Sequence, residues 1–292
     1  MTIEAKAAAM ARETRVRFDA VPHSLRPHQL GEQSWQVEPS QFLLRGMGDH
    51  WFYYRMGEGI TVERGHDADV SEESLWLNGT VYSAIACLNG LMPLHASAVA
   101  HDGRVFAFTG PTGAGKSTLA AALGQFGMPL FCDDTLVVDL SDPLQVLCLP
   151  GHKRLKLAAD ALGLSGSTPQ EPVSATVDKF YAAPPGGDLA APLPLAALTF
   201  LEEGEGPKIA PIRGSQALAR LQDGHYTSRL FALAGTPDPA SRLAELARFS
   251  QRIELCEFIR PRDPSQFRAG LESVARHIEN WQQRSISART SG

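Results

Sequence analysis

Cysteine is scarce in this chain. Cys87, Cys132, Cys148 and Cys256 are scattered over 292 residues without a C-x-x-C pair, so their spacing indicates neither zinc nor a disulfide framework. They are expected as reduced, mostly buried thiols. Long apolar runs are missing too. No stretch approaches the roughly 18 apolar residues that a membrane span needs, and charges interrupt the N-terminal residues where a signal peptide would be apolar. Nor is there an excess of positive charge. Lys and Arg total 27 against 32 Asp and Glu, a net charge of −5, which does not mark a general nucleic-acid binder. No internal repeat is present. With 43% hydrophobic and 20% charged residues, the chain is expected to be a soluble, cytoplasmic protein with a sizeable core and no nucleic-acid or membrane partner.

Three regions are expected. Residues 1–30, rich in Ala, Arg and Glu, read as a mobile N-terminal arm. Residues 31–92 read as a small β-rich region with one helix. The runs Trp35–Val37, Phe42–Arg45, Trp51–Tyr54 and Ile60–Glu63, separated by Gly/Asp turns, predict an antiparallel sheet, and Glu72–Asn89 predicts the helix. The aromatic residues of that sheet either fill a thin core or form a peptide-docking surface. Residues 93–292 read as a nucleotide-binding α/β domain, a mixed sheet with flanking helices. In that domain 164–187 is expected as a long loop with room for a short strand, 215–222, 226–233 and 239–249 as helices, 253–259 as a strand, and the last helix from Pro264 to about Arg284.

One stretch points to chemistry. Gly110-Pro-Thr-Gly-Ala-Gly-Lys-Ser117 fits the G-x-x-x-x-G-K-[ST] pattern at every fixed position. A buried-strand pattern, Arg104–Thr109, enters it, and a helical pattern beginning at Lys116 leaves it. Glycines let the backbone turn and aim successive N–H groups at one anion, and the helix N-terminus adds its dipole. The candidate nucleotide-binding set is therefore Gly110, Pro111, Thr112, Gly113, Ala114, Gly115, Lys116, Ser117 and Thr118. Lys116 is expected on the β- and γ-phosphates of ATP, and the Ser117 hydroxyl on Mg²⁺.

Asp133 and Asp134 follow an apolar strand, at the end where open α/β sheets place ligands. One carboxylate can hold Mg²⁺, directly or through water, while the other accepts the proton of an attacking hydroxyl. Asp133 is the candidate metal residue. His95 precedes another strand pattern, where it is either a structural or a catalytic histidine. The cluster His152-Lys153-Arg154-Leu-Lys156 opens a helix-like segment, and with Lys179 it supplies candidate phosphate or acceptor contacts: Lys153, Arg154, Lys156 and Lys179.

Three spacings resemble the HPr kinase/phosphorylase family of bacterial protein-serine kinases. His95 lies 15 residues before Gly110, Asp134 lies 18 beyond Lys116, and Gly-x-x-Leu-x-x-Asp-Asp recurs as Gly127–Asp134. The resemblance covers roughly residues 94–140. It implies a P-loop kinase core, with Lys116 on phosphate, Ser117 on Mg²⁺, Asp134 as proton acceptor and His95 in the catalytic site. Gly151–Asp160 holds no counterpart of the family's metal-binding glutamate, and the N-terminal part does not resemble the family's regulatory domain. The segment from His95 through Leu123 looks closer to HPr-kinase-like proteins of the lasso-peptide precursor kinase type. The expected activity is ATP-dependent phosphorylation of a serine hydroxyl on a peptide or protein, by a homo-oligomer. Two alternatives stand beside it: a small-molecule hydroxyl kinase on the same scaffold, and a nucleotide-hydrolysing switch.

Overall fold

The computed structural model describes residues 1–25, 34–66, 70–151, 153, 155–173, 178–183, 189, 191–222 and 239–283, the backbone alone at 70–72 and 239. It is a mixed α/β structure.

The mobile arm expected over residues 1–30 is corrected for residues 3–18. They form helix α1 (Ile3–Glu13) and strand β1 (Val16–Phe18). Thr2 caps α1 by accepting from the Ala5 N–H. Met10 is buried, Ile3 and Ala7 pack on the core, and Lys6 donates to both oxygens of Asp139 at 2.7 and 2.8 Å. An Ala-rich sequence makes a helix thin enough to lie close against the core, and that apolar stripe holds it there.

Strands β2 (Trp35–Glu38), β3 (Gln41–Arg45), β4 (Trp51–Arg55) and β5 (Gly59–Glu63) form the expected antiparallel meander. β1 adds to β5 in parallel and makes the sheet mixed. Alternate residues Phe42, Leu44, Phe52, Tyr54, Ile60 and Val62 are buried in the common core. Phe42, Phe52 and Tyr54 of this sheet help fill that core. A continuous helical run follows: α2 (Val70–Trp76), a π-helical segment (Leu77–Val81) and α3 (Tyr82–Leu88), which is buried along its whole length.

Strands β6 (Met92–Leu94), β7 (Ala96–His101) and β8 (Arg104–Thr109) lead into α4 (Lys116–Leu123). Then come β9 (Leu130–Cys132), β10 (Leu136–Asp139) and β11 (Leu147–Leu149). The basic segment expected to open a helix instead enters strand β12 (Leu155–Leu157), and α5 (Ala159–Ser165) begins beyond it. Within 164–187, expected as a long loop, lie β13 (Thr168–Pro172) and β14 (Phe180–Ala183), which form a three-stranded sheet with β12. Leu155, Leu157 and Ala182 are buried and give that small sheet a core face that prolines and glycines concealed. The chain ends with β15 (Leu193–Glu203), β16 (Lys208–Pro211), α6 (Gly214–Gln222), α7 (Pro239–Arg252), β17 (Glu254–Arg260) and α8 (Phe267–Glu279). The helix expected over 226–233 lies outside the described residues, as does Arg284.

Among the described residues the main sheet has nine strands. β17, β15 and β8 are mutually parallel, β7 is antiparallel to both β8 and β9, and β6, β10 and β11 join at the start of β15. Both faces are covered, as a buried parallel sheet requires. Phe106 and Phe108 of β8 face α4 and α8, while Val105 and Ala107 face the core shared with α3, α7 and the N-terminal sheet. That shared core crosses from residues 31–92 into 93–292 without a break. No described helix is long and apolar enough to cross a membrane.

The Lys6–Asp139 pair ties α1 to β10, while the Tyr54 hydroxyl donates to Glu13 at the other end of the helix. Burial alone would raise the Asp139 pKa, but hydrogen bonds from Lys6 and Ser141 outweigh it and hold the carboxyl below its ordinary value. A depressed folded pKa stabilises the fold above the ordinary carboxylate range and loses that effect as pH falls through it. Lys6→Met should therefore lower unfolding free energy by about 2 kcal/mol at neutral pH. In urea unfolding its gap to the unsubstituted protein should narrow below about pH 4. A gap independent of pH would mean that Lys6 acts through packing alone.

Candidate active site

The candidate site forms where strand ends of opposite sense meet. β7 lies between β8 and β9 and runs against both, so its first residues reach the same edge as the carboxyl ends of its neighbours. Ala96 pairs with Thr109, and Ala98 pairs with Cys132. This puts His95, the Gly110–Ser117 loop and Asp133-Asp134 together. The Thr109 hydroxyl donates to the His95 carbonyl at 2.9 Å and ties the start of the loop to the histidine segment.

Gly110, Gly113 and Gly115 all have positive φ, at 152°, 81° and 81°. Gly115 starts α4 in the left-handed region, and no side chain caps the helix. The first N–H groups of α4 therefore lack intrahelical partners and are available to an anion. Lys116 is 7% exposed and donates to the carbonyls of Gly110 and Pro111 at 2.9 and 3.2 Å. An ammonium has three N–H donors, so one remains for a phosphate oxygen. Burial lowers the Lys116 pKa, Asp134 and Asp133 oppose that, and Lys179 adds to it.

The two aspartates differ in environment. Asp133 is 3% exposed and accepts from the Ser97 hydroxyl at 2.6 Å. Burial raises its pKa and Asp134 adds to the rise, while hydrogen bonds from Ser97 and Ser117 and the charge of Lys156 oppose it. Asp134 is more open. Its Oδ2 accepts from Lys156 Nζ at 3.1 Å, and its Oδ1 lies 3.5 Å from His95 Nδ1. That ring nitrogen also lies 3.0 Å from the Asp134 carbonyl oxygen. Both oxygens are acceptors, so Nδ1 carries the proton and donates. Asp134 has φ 71°, a conformation that costs a side-chain-bearing residue about 1–2 kcal/mol. Such outliers persist where surrounding contacts over-determine them, often at functional positions.

A cavity of about 470 Å³ joins these groups. Thr112, Gly113, Gly115, Lys116, Ser117 and Thr118 line it together with His95, Asp134, Lys156 and Lys179. Lys156 grips both acids, through Nζ on Asp134 and its backbone N–H on Asp133 at 3.4 Å. Lys153 is a correction. It donates to the Leu189 carbonyl and is not among the described residues lining the cavity, because alternate positions beside β12 face different ways. His152 and Arg154 lie outside the described residues.

Ser97, Arg260 and Arg262 are among the cavity residues that had no sequence-based expectation. Arg260 ends β17, and its Nη2 donates to the Ala114 carbonyl at 2.6 Å across the loop. The signal for it is topological: the carboxyl ends of parallel strands share one edge. Ser97 could have been found two residues after His95, on the same side of β7.

The donor set suits a hard cation. The Ser117 hydroxyl and the two carboxylates are all oxygen ligands, the kind Mg²⁺ takes.

No family model and no curated protein matches the chain. Among solved structures it is similar to the Hpr(Ser) kinase/phosphatase from Coxiella burnetii, at 13% identity over 68% of this chain and 96% of that one, with a TM-score of 0.37. A likeness at that level decides neither fold family nor activity.

Two glycines of the loop should respond differently to alanine. At Gly113 a Cβ would meet nothing within 4 Å, so Gly113→Ala carries backbone strain alone, about 1 kcal/mol. At Gly115 a Cβ would lie 2.5 Å from Arg260 Nη2, so Gly115→Ala should also displace that hydrogen bond and lose about 1 kcal/mol more. Denaturant titration of Gly115→Ala with and without Arg260→Ala checks this. The excess should vanish in the double variant, and an additive result would remove Arg260 from the account.

Proposed function

We propose that the chain is an ATP-dependent kinase that transfers the γ-phosphoryl group to a serine hydroxyl of a peptide or protein, with a ribosomally made precursor peptide as the favoured acceptor. The observation that carries the kinase reading is one cavity lined by Lys116, Ser117, His95 and Asp134. A carboxylate and a histidine facing a phosphate-binding loop suit transfer to a hydroxyl. A serine acceptor and a peptide context rest on the sequence resemblance.

In this reading the loop N–H groups and Lys116 hold the β- and γ-phosphates. Ser117 and Asp133 would hold Mg²⁺, which supplies charge neutralisation between the phosphates. Asp134, oriented by Lys156 and His95, accepts the proton of the acceptor hydroxyl. The hydroxyl oxygen forms the new bond to the γ-phosphorus. The bond from that phosphorus to the bridging oxygen breaks, and ADP leaves with its electron pair. Lys116 and Lys179 face the developing charge, with Arg260 beside the loop.

Paired ATP titration and single-turnover transfer test the assignment. Lys116→Ala should abolish transfer while the fold survives. Asp134→Asn should keep ATP affinity within a few-fold and lower transfer by roughly 10²-fold or more. His95→Ala should give a smaller loss of the same kind. Equal loss of binding and transfer in Asp134→Asn would make Asp134 a metal or structural ligand. Undiminished turnover in Lys116→Ala would overturn the nucleotide site. Transfer to free serine as fast as to a serine peptide would favour a small-molecule kinase.

A further inference from the structure

Far from the cavity, one cluster of ligating side chains has no part in the mechanism above. Glu254 and Cys256 stand two apart on β17 and so face the same side of the sheet. Phe258, next in that row, packs with the buried residues of α8. His277, in the last turn of α8, completes the group. The donor atoms of Glu254, Cys256 and His277 lie within 4.8 Å of one another. Cys256 Sγ is 3.8 Å from His277 Nε2, and the same Nε2 is 3.8 Å from Glu254 Oε1.

A nucleophilic relay is a poor fit. It needs the thiol on one ring nitrogen and the carboxylate on the other, whereas here both face Nε2. Cys256 is also fully buried, out of reach of a substrate. Three donors converging on one point instead describe a metal site. Zinc bonds of about 2.3 Å to sulfur and 2.0–2.2 Å to nitrogen or oxygen put tetrahedral donors about 3.3–3.7 Å apart. The observed separations need only small side-chain shifts to close.

We propose that Glu254, Cys256 and His277 bind Zn²⁺ through three protein ligands and pin α8 to β17. The Cys256 thiol loses its proton to solvent as the Zn–S bond forms, His277 binds through the neutral Nε2, and Glu254 binds as carboxylate. Glu254 and His277 are 27% and 19% exposed, so water reaches the fourth position from that side. Thiolate with imidazole and carboxylate favours zinc over the hard cations that suit the nucleotide cavity. The last turn of α8 adds the favourable end of its dipole for a cation. The site is separate from the nucleotide cavity: Glu254 begins β17 and Arg260 ends it, about 20 Å along the strand.

The test uses the full chain, metal-free and without an affinity tag, titrated with Co²⁺ as a spectroscopic probe and then with Zn²⁺. We expect one Co²⁺ per chain with a thiolate charge-transfer band, displacement by Zn²⁺, and a higher thermal midpoint with Zn²⁺. Cys256→Ser should lose the band, and Lys116→Ala should keep it. His277→Gln and Glu254→Gln should each weaken Co²⁺ binding tenfold or more. Glu254 is partly exposed, so its variant keeps the question open to measurement should Cys256→Ser fail to fold. The proposal fails if no thiolate band appears, if the band persists in Cys256→Ser, or if folded Glu254→Gln binds as tightly as the unsubstituted chain.

Discussion

Everything at the candidate site depends on the sense of one strand. β7 runs against β8 and β9, so its first residues meet their last ones at a single edge. A parallel strand in that place would carry His95 to the far side of the sheet, the length of the strand away. The order is fixed by hydrogen-bond register and by burial on both faces: a one-residue slip of β7 would turn Ala98 and Ala100 out of one core and Val99 out of the other.

Within that edge, burial divides the labour of two adjacent carboxylates. Asp133 lies under the surface, held by serine hydroxyls, and burial raises its pKa. Asp134 faces the cavity, held by a lysine and a histidine in a left-handed backbone conformation. Lys116, Lys156, Lys179, Arg260 and Arg262 bring positive charge to this cavity in a chain of net negative charge.

The N-terminal part is built into this arrangement. Its sheet, α1 and α3 share one apolar core with the main sheet, and its π-helical segment rests over the acid pair, where a Cβ on Gly79 would lie 3.6 Å from Asp134 Oδ2. A π segment breaks the regular hydrogen-bond ladder and persists where something else holds it. Here that position is beside Asp134, the carboxylate proposed as proton acceptor.

The loop from Gly110 to Ser117 was legible because its geometry is local: glycines, a lysine and a helix start within eight residues specify the turn, whatever the rest of the chain does. The four strands β2–β5 were legible for a similar reason, since period-two aromatic runs between Gly/Asp turns determine their own pairing. Lys156 was visible as a charge, but the segment around it read as a helix, and only pairing with β14 made it a strand and set its side chain on Asp134. α1 read as a mobile arm because the partner of Lys6 lies 133 residues away. Arg260, Ser97 and the Glu254–Cys256–His277 cluster carry no motif. Their meanings depend on which strand ends share an edge and which helix crosses which strand. The Gly110–Ser117 loop and the adjacent acid pair could be read from neighbouring residues. Tertiary structure alone decided what surrounds them, because side chains distant along the chain become neighbours only through burial of a common core.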